Sequence, residues 1–142
     1  MNREIIFRGK SIGTGEWLYG HLFNYGLTAP SNVPCISVCV PTSWEEAYSL
    51  YAVHPDTIGQ YTGLKDKDGN KIFEGDILEY IGKRKDNMNK VYRRKVVFHE
   101  GMFALLSKEL PAYSALNYHC MEDGRSAWSV IGNIHDNPEL IK

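Results

Sequence analysis

The run from Thr57 to Leu78, "TIGQYTGLKDKDGNKIFEGDIL", constrains the fold more than any other part of the chain. Ile58 and Gln60 fall on one side of an extended backbone, Tyr61 and Gly63 on the other. Between this stretch and "KIF", Asp68-Gly69 supplies the left-handed dihedrals that a tight turn requires, and Gly75-Asp76 closes the run. The expectation is a hairpin that leads directly into a further strand.

The rest of the chain is punctuated at similar intervals. Glu4 to Arg8 reads as a first strand, broken by Gly9 and by the pair Gly13, Gly15. In Glu16 to Phe23, Trp17, Tyr19, His21 and Phe23 share one face and Leu18, Gly20 and Leu22 the other, which predicts a second strand pairing back on the first. Tyr25 to Pro34 has the prolines and small polar residues of a loop, and Cys35 to Val40 is a short strand ended by Pro41. In "PTSWEEAYSLY", Thr42 or Ser43 with Glu45 or Glu46 three residues on has the form of a capping box, predicting a short helix that becomes extended before His54-Pro55. Glu74 to Tyr80 is strand-like. "KVVFHEGMFALL" predicts a hairpin turning at Glu100-Gly101, with Val97 and Phe103 facing inward, and Trp128 to Ile131 a last strand. Asp136 or Asn137 before Pro138 predicts one short helical turn at the end.

Four of these blocks also resemble the YopX-like family of small phage and prophage proteins of bacteria. The first holds Phe7, Arg8, Gly9 and Lys10; the second, Trp17, Tyr19 and Gly20. The central block runs through Pro55, Thr57, Gly59, Gln60, Tyr61, Thr62, Gly63, Leu64, Asp66, Gly69, Ile72, Gly75, Asp76 and Ile77. The last holds Val130, Ile131, Gly132, Asn133, Ile134, Asp136, Asn137 and Pro138. The resemblance implies a mostly β fold and a phage or prophage origin, without naming a reaction. Tyr25 to Leu50 and Lys83 to Ala127 carry none of these blocks.

With 142 residues, 43% hydrophobic and 23% charged, the chain is long enough for one core or for two small subdomains. A formal charge of -1 gives no global field to attract nucleic acid or an anionic membrane. No apolar stretch is long enough for a membrane helix and "MNREIIFRGK" lacks the greasy core of a signal peptide, so no membrane contact is expected and the cytoplasm of a bacterial host is the expected location. Cys35, Cys39 and Cys120 are an odd number in a chain for which no export signal is expected, which argues against a disulfide framework. Cys35 and Cys39, on one face if extended, would need His119 and Cys120 to complete a zinc site; the second half lacks the spaced pair that such sites use, and buried thiols are the better expectation.

Motifs with a mechanism are missing elsewhere too. Asp66-Lys67-Asp68-Gly69-Asn70 invites a calcium loop, but glycine stands fourth rather than sixth and Ile77 occupies the place of the twelfth-position glutamate. Gly13-Thr14-Gly15 lacks the third glycine of a phosphate cradle, and there is no nucleophile elbow. His21, His54, His99, His119 and His135 are scattered. No catalytic, metal-binding or cofactor-binding residues are assigned, no cofactor is expected, and the glycines and carboxylates of the motif blocks read as scaffold.

One stretch does concentrate charge. Between Lys83 and Lys95, "KRKDNMNKVYRRK" sets seven basic residues against Asp86. As a loop between two strands it would bring Lys83, Arg84 and Lys85 opposite Arg93, Arg94 and Lys95, a cluster able to contact several phosphates, with Tyr92 as a stacking surface. The sequence thus predicts a mostly β protein. Residues 1–56 would form a small N-terminal β subdomain and 57–142 an SH3-like β-barrel, together one compact unit with one or two short helices. The expected function is binding, foremost to nucleic acid through the basic loop. The alternative is a protein partner or homo-oligomer, using sheet edges or the aromatic residues Trp17, Tyr19, Trp44, Tyr48 and Tyr51 where these escape the core. An enzyme of unknown reaction stands third.

Overall fold

The computed structural model describes residues 3–24, 33–109 and 111–142, and places the backbone but not the side chains of Tyr118 and His119. Most of the Tyr25 to Pro34 loop expected from sequence lies outside the described residues. The protein is mostly β: among the described residues ten strands form two antiparallel five-stranded sheets, ordered β3-β2-β1-β4-β5 and β10-β6-β7-β8-β9. They are β1 (Phe7–Lys10), β2 (Trp17–Asn24), β3 (Pro34–Ser37), β4 (Gly59–Lys65), β5 (Lys71–Phe73), β6 (Asp76–Ile81), β7 (Val91–His99), β8 (Met102–Leu106), β9 (Tyr113–Ala115) and β10 (Ser129–Asn133). The second sheet is open as ordered, and no closed barrel is formed among the described residues. The chain divides into two compact units, Met1–Tyr61 and Thr62–Lys142.

In the first unit, β2 pairs antiparallel with β1, Phe7 opposite Gly20 and Lys10 opposite Trp17, as the alternation in β2 predicts. Gly20 is needed at its place: a Cβ there would lie 2.6 Å from the carbonyl of Ser37. β3 ends at Ser37, earlier than expected, so Cys35 and Cys39 do not share a strand face. Ser43 caps the short helix α1 (Trp44–Glu46), its hydroxyl accepting from the Glu46 amide at 3.2 Å, while the Glu46 carboxylate accepts from the Thr42 amide at 2.7 Å. A π-helical turn, Ala47–Tyr51, carries the chain on to extended residues Ala52 and Val53, which bridge to Cys35 and Ser11. The core here is built from aliphatic and small side chains: Ile36 and Val53, which meet at Gly9, and the cluster of Cys35, Ala47 and Ala52, covered by Phe23, Val33 and Tyr51. Several aromatics stay outside it. Tyr19, Trp44 and Tyr48 are exposed, and Trp17 is half-buried beneath the Arg8 guanidinium, 4.7 Å from its ring centroid.

The second unit has the larger core, built on Ile72, Leu78, Val96, Leu105, Leu116 and Trp128. Apolar burial of this kind contributes roughly 1.5–3 kcal/mol per large side chain. The β7–β8 hairpin turns where expected, with Glu100 and Gly101 both at positive φ. Its inward residue is Val96 rather than Val97, because β7 pairs Val96 with Leu105 and presents both to the core.

Asp66 ties this unit together at the β4–β5 turn. Fully buried, its carboxylate accepts from the amides of Asp68 (2.9 Å), Asn70 (2.8 Å) and Val130 (3.0 Å) and from the Asn70 side chain (3.2 Å). Burial pushes its pKa up, but the bonds from Val130, Asn70 and Asp68 outweigh burial and hold it below the ordinary value. Asp76 serves the next turn, its buried carboxylate accepting from the Phe73 amide at 2.7 Å beside Gly75 at φ 91°. Asn133 closes the C-terminal block, accepting from the amides of His135 and Asp136. Among the described residues no helix is long and apolar enough to cross a membrane.

Candidate functional site

β6 and β7 pair from Ile77 opposite Lys95 to Ile81 opposite Val91, so the loop between them is Gly82 to Lys90. It is a folded loop. The Gly82 amide donates to the Lys90 carbonyl at 2.8 Å, the Arg84 amide donates to the Asn87 side chain at 2.9 Å, and Asn89 takes positive φ. A Cβ on Gly82 would lie 2.1 Å from the Asn87 carbonyl oxygen, so only glycine lets the loop close so tightly.

This register redistributes the basic residues. Arg93, Arg94 and Lys95 lie opposite Glu79, Leu78 and Ile77, not opposite Lys83, Arg84 and Lys85 as the sequence led us to expect. Strand alternation then sends Tyr92 and Arg94 to one face and Arg93 and Lys95 to the other. Two clefts result. One, of about 670 Å³, is lined by Tyr80, Tyr92 and Trp128 with Arg84, Arg94 and Asn87, and by Glu109. The other, of about 690 Å³, is lined by Arg93, Arg94, Lys95, Lys108 and Lys142, again with Glu109, and by the apolar side chains of Leu106, Leu140 and Ile141. Arg94 belongs to both. Lys83 and Lys85 line neither cleft and stand exposed on the loop.

The cations differ in how far they are committed. Arg93 pairs across the strands with Glu79 at 3.0 Å and reaches the Leu140 carbonyl at 3.4 Å. Such an exposed pair is worth no more than about 1 kcal/mol and yields readily to an anion. Arg94 donates to the Arg93 carbonyl at 2.8 Å and lies 5.6 Å from the Tyr92 ring centroid, over which Lys90 also sits at 4.9 Å. Among the described residues no carboxylate pairs with Arg84, Arg94 or Lys95.

Aromatic rings floor the first cleft. Tyr80 stands opposite Tyr92 in the ladder, with centroids 6.3 Å apart, and packs on Trp128 at 5.6 Å, both pairs tilted by 41°. Trp128 is 5% exposed, and its indole N–H has no acceptor among the described residues. Sequence reasoning found Tyr92 but missed Tyr80 and Trp128. Tyr80 was recoverable, since closing the loop between Ile81 and Val91 places it opposite Tyr92. Trp128 arrives by a long-range packing that no local pattern encodes.

The other sequence features do not assemble a site. Cys35 is buried and donates to the carbonyls of Val33 and Ala47, burial pushing its thiol up. Cys39 is exposed, its sulfur near the hydroxyls of Ser37 (3.3 Å) and Tyr51 (3.5 Å), which draw its thiol down. Among the described residues no three His, Cys, Asp or Glu side chains group to hold a metal ion; the side chain of His119 lies outside them. The oxygens of Asp66 that a calcium loop would need accept bonds from the protein's own amides.

Two antiparallel sheets, with a basic, aromatic-floored cleft on the second, define a small mostly β protein without a recognised catalytic motif. The chain belongs to the YopX family: the family model, described as YopX protein, matches residues 6–142. No curated protein matches it. Among solved structures it is similar to protein EF1440 from Enterococcus faecalis, with 27% identity and a TM-score of 0.54 over 99% of this chain and 100% of the other.

Proposed function

We propose that the protein acts by binding nucleic acid through β7 and the loop before it, using Arg84, Tyr92, Arg93, Arg94 and Lys95, with Lys83 and Lys85 adding exposed charge. The observation that carries this reading is the position of Arg94, which joins Arg84 and Tyr92 in one cleft and Arg93 and Lys95 in the next. Cations so spaced, of which only Arg93 pairs with a carboxylate among the described residues, that of Glu79, suit the repeating phosphates of a nucleic-acid strand. In this reading residues 57–142 are an SH3-like module carried by an N-terminal subdomain, in a cytoplasmic accessory protein of phage or prophage origin. Support for the module is the run of short antiparallel strands, and for the origin the family.

Titration of labelled DNA and RNA across a salt series, beside a variant with Arg84, Arg93 and Arg94 changed to alanine, tests it. Binding that weakens with salt and is lost in the variant is expected; absence of binding at low salt refutes the reading.

A second reading, self-association, is favoured by one observation in the first unit. Val38 and Val40 are 80% and 89% exposed, and Trp44, Tyr48 and Leu50 follow on the exposed side of the helical segment. Apolar surface so concentrated in sequence is a common mark of an interface. Light scattering of the wild type and of Trp44→Ser decides it: a dimer that dissociates in the variant supports the reading, and a monomer in both removes it.

A further inference from the structure

We infer that the cleft between Tyr80, Tyr92 and Trp128 takes an unstacked base of a single-stranded nucleic acid, with the adjoining phosphates on Arg84 and Arg94; this rests on the nucleic-acid reading and narrows it. A surface that met only phosphates would need cations and nothing more. Here the two arginines stand at a cleft floored by three rings, of which Tyr80 and Tyr92 are half-buried and so still offer surface. Every base has a π-face that stacks on such rings, whereas the bases of a duplex are occupied by their neighbours. The volume of about 670 Å³ is of the size that accommodates a small-molecule ligand, well beyond one phosphate.

Two features agree. A bare phosphodiester would leave the rings of the cleft uncovered. Glu109, also lining the cleft, repels a phosphate at its own position but accepts from the amino groups that bases carry. Phosphates are therefore directed to Arg84 and Arg94, and the base towards the rings.

The test uses the full chain with fluorescein-labelled oligonucleotides of equal length: single-stranded DNA, single-stranded RNA, duplex DNA, and a DNA strand whose central nucleotides are abasic. Both intact single strands are expected to bind more tightly than the duplex, and the abasic strand about tenfold more weakly than its intact counterpart. The DNA and RNA arms separate the two sources of the same base chemistry. Tyr92→Leu should bring the intact strand down to the abasic level, and Tyr92→Phe should restore it. If Tyr92→Leu does not fold, the comparison of abasic with intact strand decides alone. Equal binding of intact, abasic and duplex forms overturns the base-binding inference and leaves the phosphate surface standing; no binding by any of them overturns both.

Discussion

Asp66 and Arg94 both lie in the second unit, one in a motif block and one outside all of them, and they use their charge in opposite ways. Asp66 is sealed from solvent and its oxygens are taken by three backbone amides and one side-chain amide. Arg94 lines two clefts, its guanidinium donating to the Arg93 carbonyl, with no carboxylate partner among the described residues. The contrast teaches that carboxylates of the family pattern hold turns together, while the cations proposed to meet a nucleic acid, Arg84, Arg94 and Lys95, lie between the blocks and pair with no carboxylate among the described residues. Asp76 and Asn133 follow Asp66: each spends its side chain on nearby amides.

The largest effect should come from Asp66→Ala. Three backbone donors lose a charged acceptor in a buried place, and the loss is expected at about 3 kcal/mol, seen as a fall in the denaturant midpoint. A change below about 0.5 kcal/mol would mean that the turn is held by something else. The same carboxylate sets an acid limit. Because its pKa is lower in the folded than in the unfolded chain, its contribution is present above the unfolded value and disappears as pH falls through the folded one. Wild-type stability should therefore drop below about pH 4, and Asp66→Asn should flatten that part of the curve. Equal slopes in both proteins would place the acid sensitivity elsewhere.

Gly82→Ala comes next, because the added methyl meets the Asn87 backbone oxygen. A cost of about 1–3 kcal/mol is expected, with weaker oligonucleotide binding as the loop that positions Arg84 shifts. Intact binding despite lower stability would separate the loop from the site.

Smallest in stability is the change of Arg84, Arg93 and Arg94 together to alanine. Only the exposed Arg93–Glu79 pair is lost among ion pairs, so thermal unfolding should change by less than about 1 kcal/mol. Salt dependence of binding should become shallower, by about 0.7 in logarithmic slope for each phosphate contact removed from a single strand. A large loss of stability would make these arginines part of the scaffold.

Much of the scaffold was legible in the sequence because its signals are local. Asp68-Gly69, Gly75-Asp76 and Glu100-Gly101 each encode a turn in adjacent residues, and the first two strands pair as alternation implies. The error at Val97 has the same origin. Both Val96 and Val97 are apolar, and only the pairing of Val96 with Leu105 and the packing behind it choose between them. In the first unit Tyr19, Trp44 and Tyr48 escape the core, which is filled by Ile36, Val53, Cys35, Ala47 and Ala52, and alternation alone does not say which aromatics do so. The candidate site was half legible. Charge clustering marks Arg84 to Lys95, but which cations share a cleft depends on where the β6–β7 ladder stops, and Trp128 joins through the core.

Hydrogen exchange of the full chain with and without a saturating single-stranded oligonucleotide bears most directly on this division of labour. Slower exchange confined to the Gly82–Arg94 segment and to the backbone near Trp128, with the Asp66 turn equally protected in both states, is the predicted result. Protection confined to the first unit, or no change anywhere at concentrations where other anions are excluded from the surface, would contradict it.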